Sequence, residues 1–144
     1  MSHHTALLDQ FAQFLATNEV GVYNPDGVFL PSQRGIVISA FPEVPAELVS
    51  VSFYMPEYQR LQGGTRRLTA SRIQIRTRLR GHPLATLDLF DHLSHLIDRK
   101  LLQLGPITAH GAFLSATEPL ATKTGAWVQA SNWTLTALEG LPTP

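Results

Sequence analysis

The segment from Ser71 to Arg80 constrains the fold more than any other stretch of the chain. Ile73, Ile75, Thr77 and Leu79 occupy alternate positions, and Arg72, Gln74, Arg76, Arg78 and Arg80 fill the positions between them. Successive side chains of a β-strand point to opposite faces of its sheet, so this period of two specifies a strand with one apolar face and one basic face. Four guanidinium groups on one strand face repel one another unless acids, phosphates or apolar surface along their stems compensate.

The net charge of zero hides where those arginines come from. Residues 1–59 hold one basic residue, Arg34, and six acids, whereas residues 60–80 hold seven Arg and no acid, and residues 81–144 hold three basic residues and five acids. An acidic flank and an arginine-rich middle can pair within one fold or between neighbouring copies. A chain without net charge is also weakly protected against self-association. At 144 residues, 44% hydrophobic and 15% charged, the chain suits one domain with its own core and does not have the composition of a disordered segment. The absence of cysteine excludes a disulfide framework, a thiolate metal site and a cysteine nucleophile. No apolar run approaches the ~18–20 residues of a membrane-spanning helix. The start, Met-Ser-His-His-Thr, has neither the basic residues nor the apolar stretch of a signal peptide. The expectation is a soluble intracellular protein without a membrane partner.

Leu7, Leu8, Phe11, Phe14 and Leu15 have helical spacing and predict a helix over Thr5–Asn18. Gly35–Ala40 and Leu48–Met55 read as strands. The stretch 57–70, with Gly63-Gly64 at its centre, is expected to be a long loop of the kind that usually carries function. A second helix is expected over Leu84–Leu102, with Leu84, Leu87, Phe90, Leu93, Ile97 and Leu101 as its apolar stripe and Gly105-Pro106 as its end. Strands over Ile107–Ala116 and Ala126–Leu138 follow, joined through a hairpin tip at 118–125, and residues 140–144 are expected to form a flexible tail. Trp127 and Trp133 lie six apart on one strand face, as core packing or as an interface anchor. The order predicts a single α+β domain over 1–144. It has a four- to five-stranded, mostly antiparallel or mixed sheet with two helices packed on one face.

Motifs of bond chemistry are missing. There is no GxxxxGK[ST] loop, no GxGxxG after a strand and no GxSxG elbow. His92 and His95, at i, i+3 with Asp88 and Asp91 nearby, have the spacing of a metal pair, but they lie opposite the apolar stripe and read better as a solvated helix face. With no helix-turn-helix signature, no basic helix and no net positive charge, sequence-specific DNA reading is not expected. A local basic surface still permits non-specific phosphate contact. No catalytic residue, metal site or cofactor is expected, and the chain is not read as an enzyme.

Taken in order, these segments resemble the tail terminator proteins of long-tailed bacteriophages, a family of minor capsid or head–tail completion proteins. The resemblance rests on the amphipathic start Ala6–Leu15, on Gly21-Val-Tyr23 and Phe29-Leu-Pro31, and on Val49–Tyr54 followed by Gly63-Gly64. It continues through Gln74-Ile-Arg-Thr-Arg78 and the closing Ser131-Asn-Trp-Thr-Leu-Thr136. It covers nearly the whole chain in pattern and order, with Leu84-Ala-Thr-Leu-Asp88 departing from the family's Ala-rich helix start. The resemblance implies a small α+β subunit of the virion, assembled in the host cytoplasm, that closes into a homohexameric ring at the head–tail junction. Such a ring caps the tail tube protein, ends its polymerisation and docks the head completion or connector protein. The alternative is another neck component, a head completion or tube-like ring protein, and more remotely a small ligand-binding domain or enzyme. In that setting Tyr58, Gln59, Arg60, Arg66 and Arg67 are candidate partner-docking residues of the long loop, which would order on docking. Glu118 and Lys123 mark the hairpin tip. Arg72, Arg76, Arg78 and Arg80 face either a neighbouring subunit or the channel through which genomic DNA passes.

Overall fold

The computed structural model describes the backbone of residues 3–60 and 66–140 and the side chains of residues 5–53 and 70–137. Helix α1 (His3–Thr17) is followed by β1 (Val22–Tyr23), β2 (Gly35–Ile38), β3 (Leu48–Arg60) and β4 (Arg66–Arg80). Helix α2 (Pro83–Ile97), β5 (Leu101–Leu104), β6 (Ile107–Ala116), β7 (Leu120–Ala121) and β8 (Ala126–Gly140) complete the chain. The strands form one eight-stranded mixed sheet in the order β1-β2-β3-β4-β8-β6-β5, with β7 pairing β8. The α+β class holds, but the sheet has more strands than the four or five expected.

Central to it is β4, hydrogen-bonded to β3 on one edge and to β8 on the other. Ile75 stands opposite Val51 on one side and Ser131 on the other, and Ile73 stands opposite Phe53 and Trp133. Residues opposite each other in antiparallel strands share a face, so these pairs assemble one apolar surface. Both helices cover it. Leu7, Leu8, Phe11, Ala12 and Leu15 of α1 and Leu89, Leu93 and Ile97 of α2 join Ile36, Val49, Val51, Ile73, Ile75, Trp133 and Leu135 in a single core. Trp133 is fully buried against Phe90 and Phe113, at ring-centroid distances of 5.9 and 5.3 Å. Its indole N–H donates to the Ser131 hydroxyl at 2.9 Å, which satisfies the polar atom that burial would otherwise leave bare. At the sheet's β1 edge, the Tyr23 hydroxyl donates to Asp9 of α1 at 2.7 Å, and burial together with that carboxylate pushes the phenol up to about 12.

Three expectations are corrected. The stretch 57–70 is not a long loop: Glu57–Arg60 and Arg67–Ala70 face each other in the β3–β4 ladder, and the connection 61–65 lies outside the described residues. Strand pairing satisfies backbone N–H and C=O groups that a loop of that length would leave to solvent. The second helix ends five residues early. The Asp98 N–H closes on the Ser94 carbonyl at 2.9 Å, Arg99 turns into the left-handed region (φ 58°), and Leu101–Leu104 alternates exposed and buried as an edge strand. Gly105-Pro106 then joins β5 to β6 as a two-residue hairpin turn, with Gly105 at φ 62°. Finally, α2 is rotated relative to the expected stripe. It buries Thr86, Leu89, Leu93 and Ile97 and leaves Leu84 and Leu87 at 58% and 40% exposure. The expected tail beyond residue 140 lies outside the described residues.

Where α2 hands over to the sheet, the Arg99 N–H donates to the Gly111 carbonyl at 2.8 Å and the Gly111 N–H to the Lys100 carbonyl at 2.9 Å. A Cβ at Gly111 would land on the Ile97 carbonyl. Gly111→Ala is therefore expected to cost ~1–3 kcal/mol through overpacking, read as a lower urea midpoint with unchanged slope.

Candidate subunit interface on the arginine face

The helix-free face of the sheet carries Arg72, Gln74, Arg76, Arg78 and Arg80 from β4. Their cross-strand neighbours are Leu48, Ser50, Ser52 and Met55 from β3 and Ala126, Val128, Ala130, Asn132 and Thr134 from β8. Arg76 stands between the small residues Ser50 and Ala130, whereas Arg78 stands between the apolar Leu48 and Val128, along which its aliphatic stem can lie. Gln74 donates to the Asn132 side chain at 3.2 Å, and Asn132 donates in turn to the Ser115 hydroxyl at 3.0 Å.

One corner of this face is covered by the chain itself. Strands β2 and β3 are parallel, so the chain must cross over between them. It does so through residues 39–47 on the arginine side. The Ser50 hydroxyl donates to the Ala40 carbonyl. Arg78 donates from Nε to the Ala46 carbonyl at 3.0 Å and from Nη2 to the carbonyls of Pro42 and Pro45 at 2.7 Å each. Phe41 lies beneath two guanidinium groups, 4.1 Å from Arg76 and 4.9 Å from Arg78 to its ring centroid. An aromatic face attracts a cation, and the effect strengthens as water is excluded. Burial lowers the Arg78 guanidinium from its ordinary value while Glu43 pushes it back up. It remains a fixed charge at any pH near neutrality.

Among the described residues no carboxylate forms an ion pair with Arg76 or Arg78, although the charge of Glu43 acts on Arg78. Glu47 instead pairs with Arg34 at 3.3 Å and accepts the Arg80 backbone N–H at 3.2 Å. Backbone carbonyls and an aromatic ring replace carboxylates. No local pattern in the sequence marks Phe41, Pro42 or Pro45 as partners of the arginines. The short connection between Gly35–Ala40 and Leu48–Met55 reads in sequence as an antiparallel turn, so the parallel crossover gives no local signal.

A groove of about 470 Å³ opens beside this corner, floored by Arg78, Arg80 and Val128 and walled by Phe41, Val44 and Thr122. Guanidinium groups beside Val44 and Val128 equip the groove for recognition of a surface that is anionic or apolar. The other expected site residues fall elsewhere. Tyr58, Gln59 and Arg60 are on β3 and Arg66 and Arg67 on β4, in the part of that ladder that runs past the end of β2, and their side chains are outside the described residues. Glu118 and Lys123 are exposed, one before β7 and one in the turn between β7 and β8, and neither joins the arginine groove. The His92 Nε2 atom is hydrogen-bonded to the Asn18 carbonyl at 2.8 Å, which ties α2 to the end of α1. Among the described residues no group of three or more His, Asp or Glu is placed to hold a metal.

No family model matches the chain, and no curated protein matches it. Among solved structures, a chain from the virion of a native gene transfer agent (GTA) particle matches with a TM-score of 0.51 and 14% identity, over 72% of this chain and 78% of that chain. The chain is similar in fold to a component of a virion. At that identity the likeness is one of fold. No helix among the described residues is long and apolar enough to cross a membrane.

Arg78 is the tie between the crossover and the sheet. Arg78→Ala removes three charge-assisted hydrogen bonds, and hydrogen bonds to charged groups are worth ~1.5–3 kcal/mol. The expected result is a lower urea midpoint and faster amide exchange confined to residues 39–47. Arg78→Lys should recover only part of it, since an ammonium lacks the planar fork that spans several carbonyls.

Proposed function

We propose that this chain is a structural virion subunit and that it acts as a tail terminator. Copies close into a six-membered ring on the last layer of the tail tube protein, end its polymerisation and present the other side of the ring to the head completion or connector protein. The observation that carries this reading is the shared fold with a chain of an assembled virion, over 78% of that chain's length. The order of segments in the sequence points the same way.

The mechanism is one of shape. A tube grows because each layer offers the next a surface like its own. A ring that matches the tube on one side and lacks that surface on the other stops growth without breaking or making a bond. A heterologous contact that closes on itself by rotation produces such a ring, where the same contact without closure produces a filament. The β3–β4 ladder suits the contact with the tube. β2 pairs β3 only as far as Val51, and the hairpin continues to Arg60 and Arg66 with β8 as its remaining neighbour. This extension carries Tyr58, Gln59, Arg60, Arg66 and Arg67.

Removing the gene from the parent particle tests the reading by electron microscopy. Loss of a terminator leaves tails of uncontrolled length that do not join heads. Full heads without tails, beside tails of normal length, would assign the chain to head completion and contradict the terminator role.

A further inference from the structure

The rotation of α2 leaves a surface that the domain itself does not use. Leu84, Leu87, Asp88 and Asp91 fall at i, i+3, i+4 and i+7, which places them on one stripe about 10 Å long. All four are exposed. The helix contains no Lys or Arg. The side chains beside the stripe are His92, held by the Asn18 carbonyl, and His95. Arg99 and Lys100 follow only after the helix has ended. Two carboxylates and two isobutyl groups therefore face outward together on the side of the sheet opposite the arginines.

The arginine groove has the complementary character. Arg78 and Arg80 form its floor, Arg76 lies next to it, and Val44 on its wall is 73% exposed. Glu43 at the rim is the one acid lining it. Because stripe and groove lie on opposite faces of one sheet, neither can satisfy the other within a chain. Two-fold contacts are disfavoured by the same charges, since they would set arginine face against arginine face or Asp88 and Asp91 against their own copies. A head-to-tail contact matches carboxylate to guanidinium and apolar to apolar.

We infer that the α2 stripe of one copy seats in the arginine groove of the next, and that this repeated contact builds the ring. The inference rests on the proposed ring and specifies the surface that closes it. Opposite placement of the two surfaces makes the contact heterologous, which is the kind that generates rings.

The test is charge reversal with oligomeric state as the readout, measured by mass photometry across a concentration series. Asp88→Arg with Asp91→Arg, and separately Arg76→Asp with Arg80→Asp, should each raise the concentration needed for assembly by roughly 10- to 100-fold. The four changes together should recover most of the loss. Arg78 is left intact because it holds the crossover. Circular dichroism checks that each variant is folded. A second measurement does not depend on charge. The chain contains no cysteine, so Leu87→Cys with Val44→Cys introduces the sole thiols, one on each surface. Oxidation of this double variant should give a ladder of crosslinked species ending at the ring. A mixture of the two single variants should give dimers only.

Normal rings from all reversed variants, with no ladder, would overturn this interface and leave the ring reading standing. A wild-type chain that stays monomeric at every concentration, with no ladder, would remove both. Intact rings that lose retention of duplex DNA on arginine reversal would place the arginine face in the channel and also overturn the inference.

Discussion

Everything in this domain follows from the two incompatible faces of β4. The strand is hydrogen-bonded along both edges, so it cannot turn to hide its arginines, and its register is locked by β3 and β8. Ile73, Ile75 and Leu79 are buried on one face, which draws both helices to that side. The other face cannot receive an ordinary amphipathic helix, because an apolar stripe laid over Arg72, Arg76, Arg78 and Arg80 would strip water from charges without replacing it. One-sided cover of a largely antiparallel sheet is the stable outcome.

The crossover between β2 and β3 shows how the chain manages the remaining problem. Backbone carbonyls of Pro42, Pro45 and Ala46 and the ring of Phe41 accept Arg78 and Arg76. None of these partners carries a formal charge, and Glu43 is the one acid that lines the groove with Arg78 and Arg80. The corner keeps positive character beside a groove of about 470 Å³.

The features legible in the sequence were those with a clean period. The alternation in Ser71–Arg80 identified β4 and both of its faces, and the spacing from Leu7 to Leu15 identified α1 to within a few residues. The extension of the β3–β4 ladder past Met55 was missed because Glu57-Tyr-Gln-Arg60 has no apolar alternation; its pairing continues the ladder already begun at Leu48. The end of α2 was missed because Leu101 continues the helical spacing although Arg99 leaves it. Leu84 and Leu87 were assigned to the core for the same reason, since an apolar stripe in sequence does not say whether the cover comes from this chain or another. Of the candidate site residues, the four arginines on a common face were readable and their partners were not. Phe41 and three carbonyls reach them only through a crossover that no local pattern announces.

A virion subunit that works as a stave of a collar needs a stiff body, a surface for its own copy and a separate surface for the tube. In the proposed ring the sheet core is the body, the arginine groove with the α2 stripe is the contact between copies, and the extended hairpin is the contact with the tube. The most direct measurement is a cryo-electron microscopy map of the head–tail junction of the parent particle, at a resolution that traces β4 and α2. The account predicts six copies in a closed ring on the last tube layer, each with its α2 against the arginine face of the next. A map that places the chain away from that junction, or in it as a single copy, would contradict it.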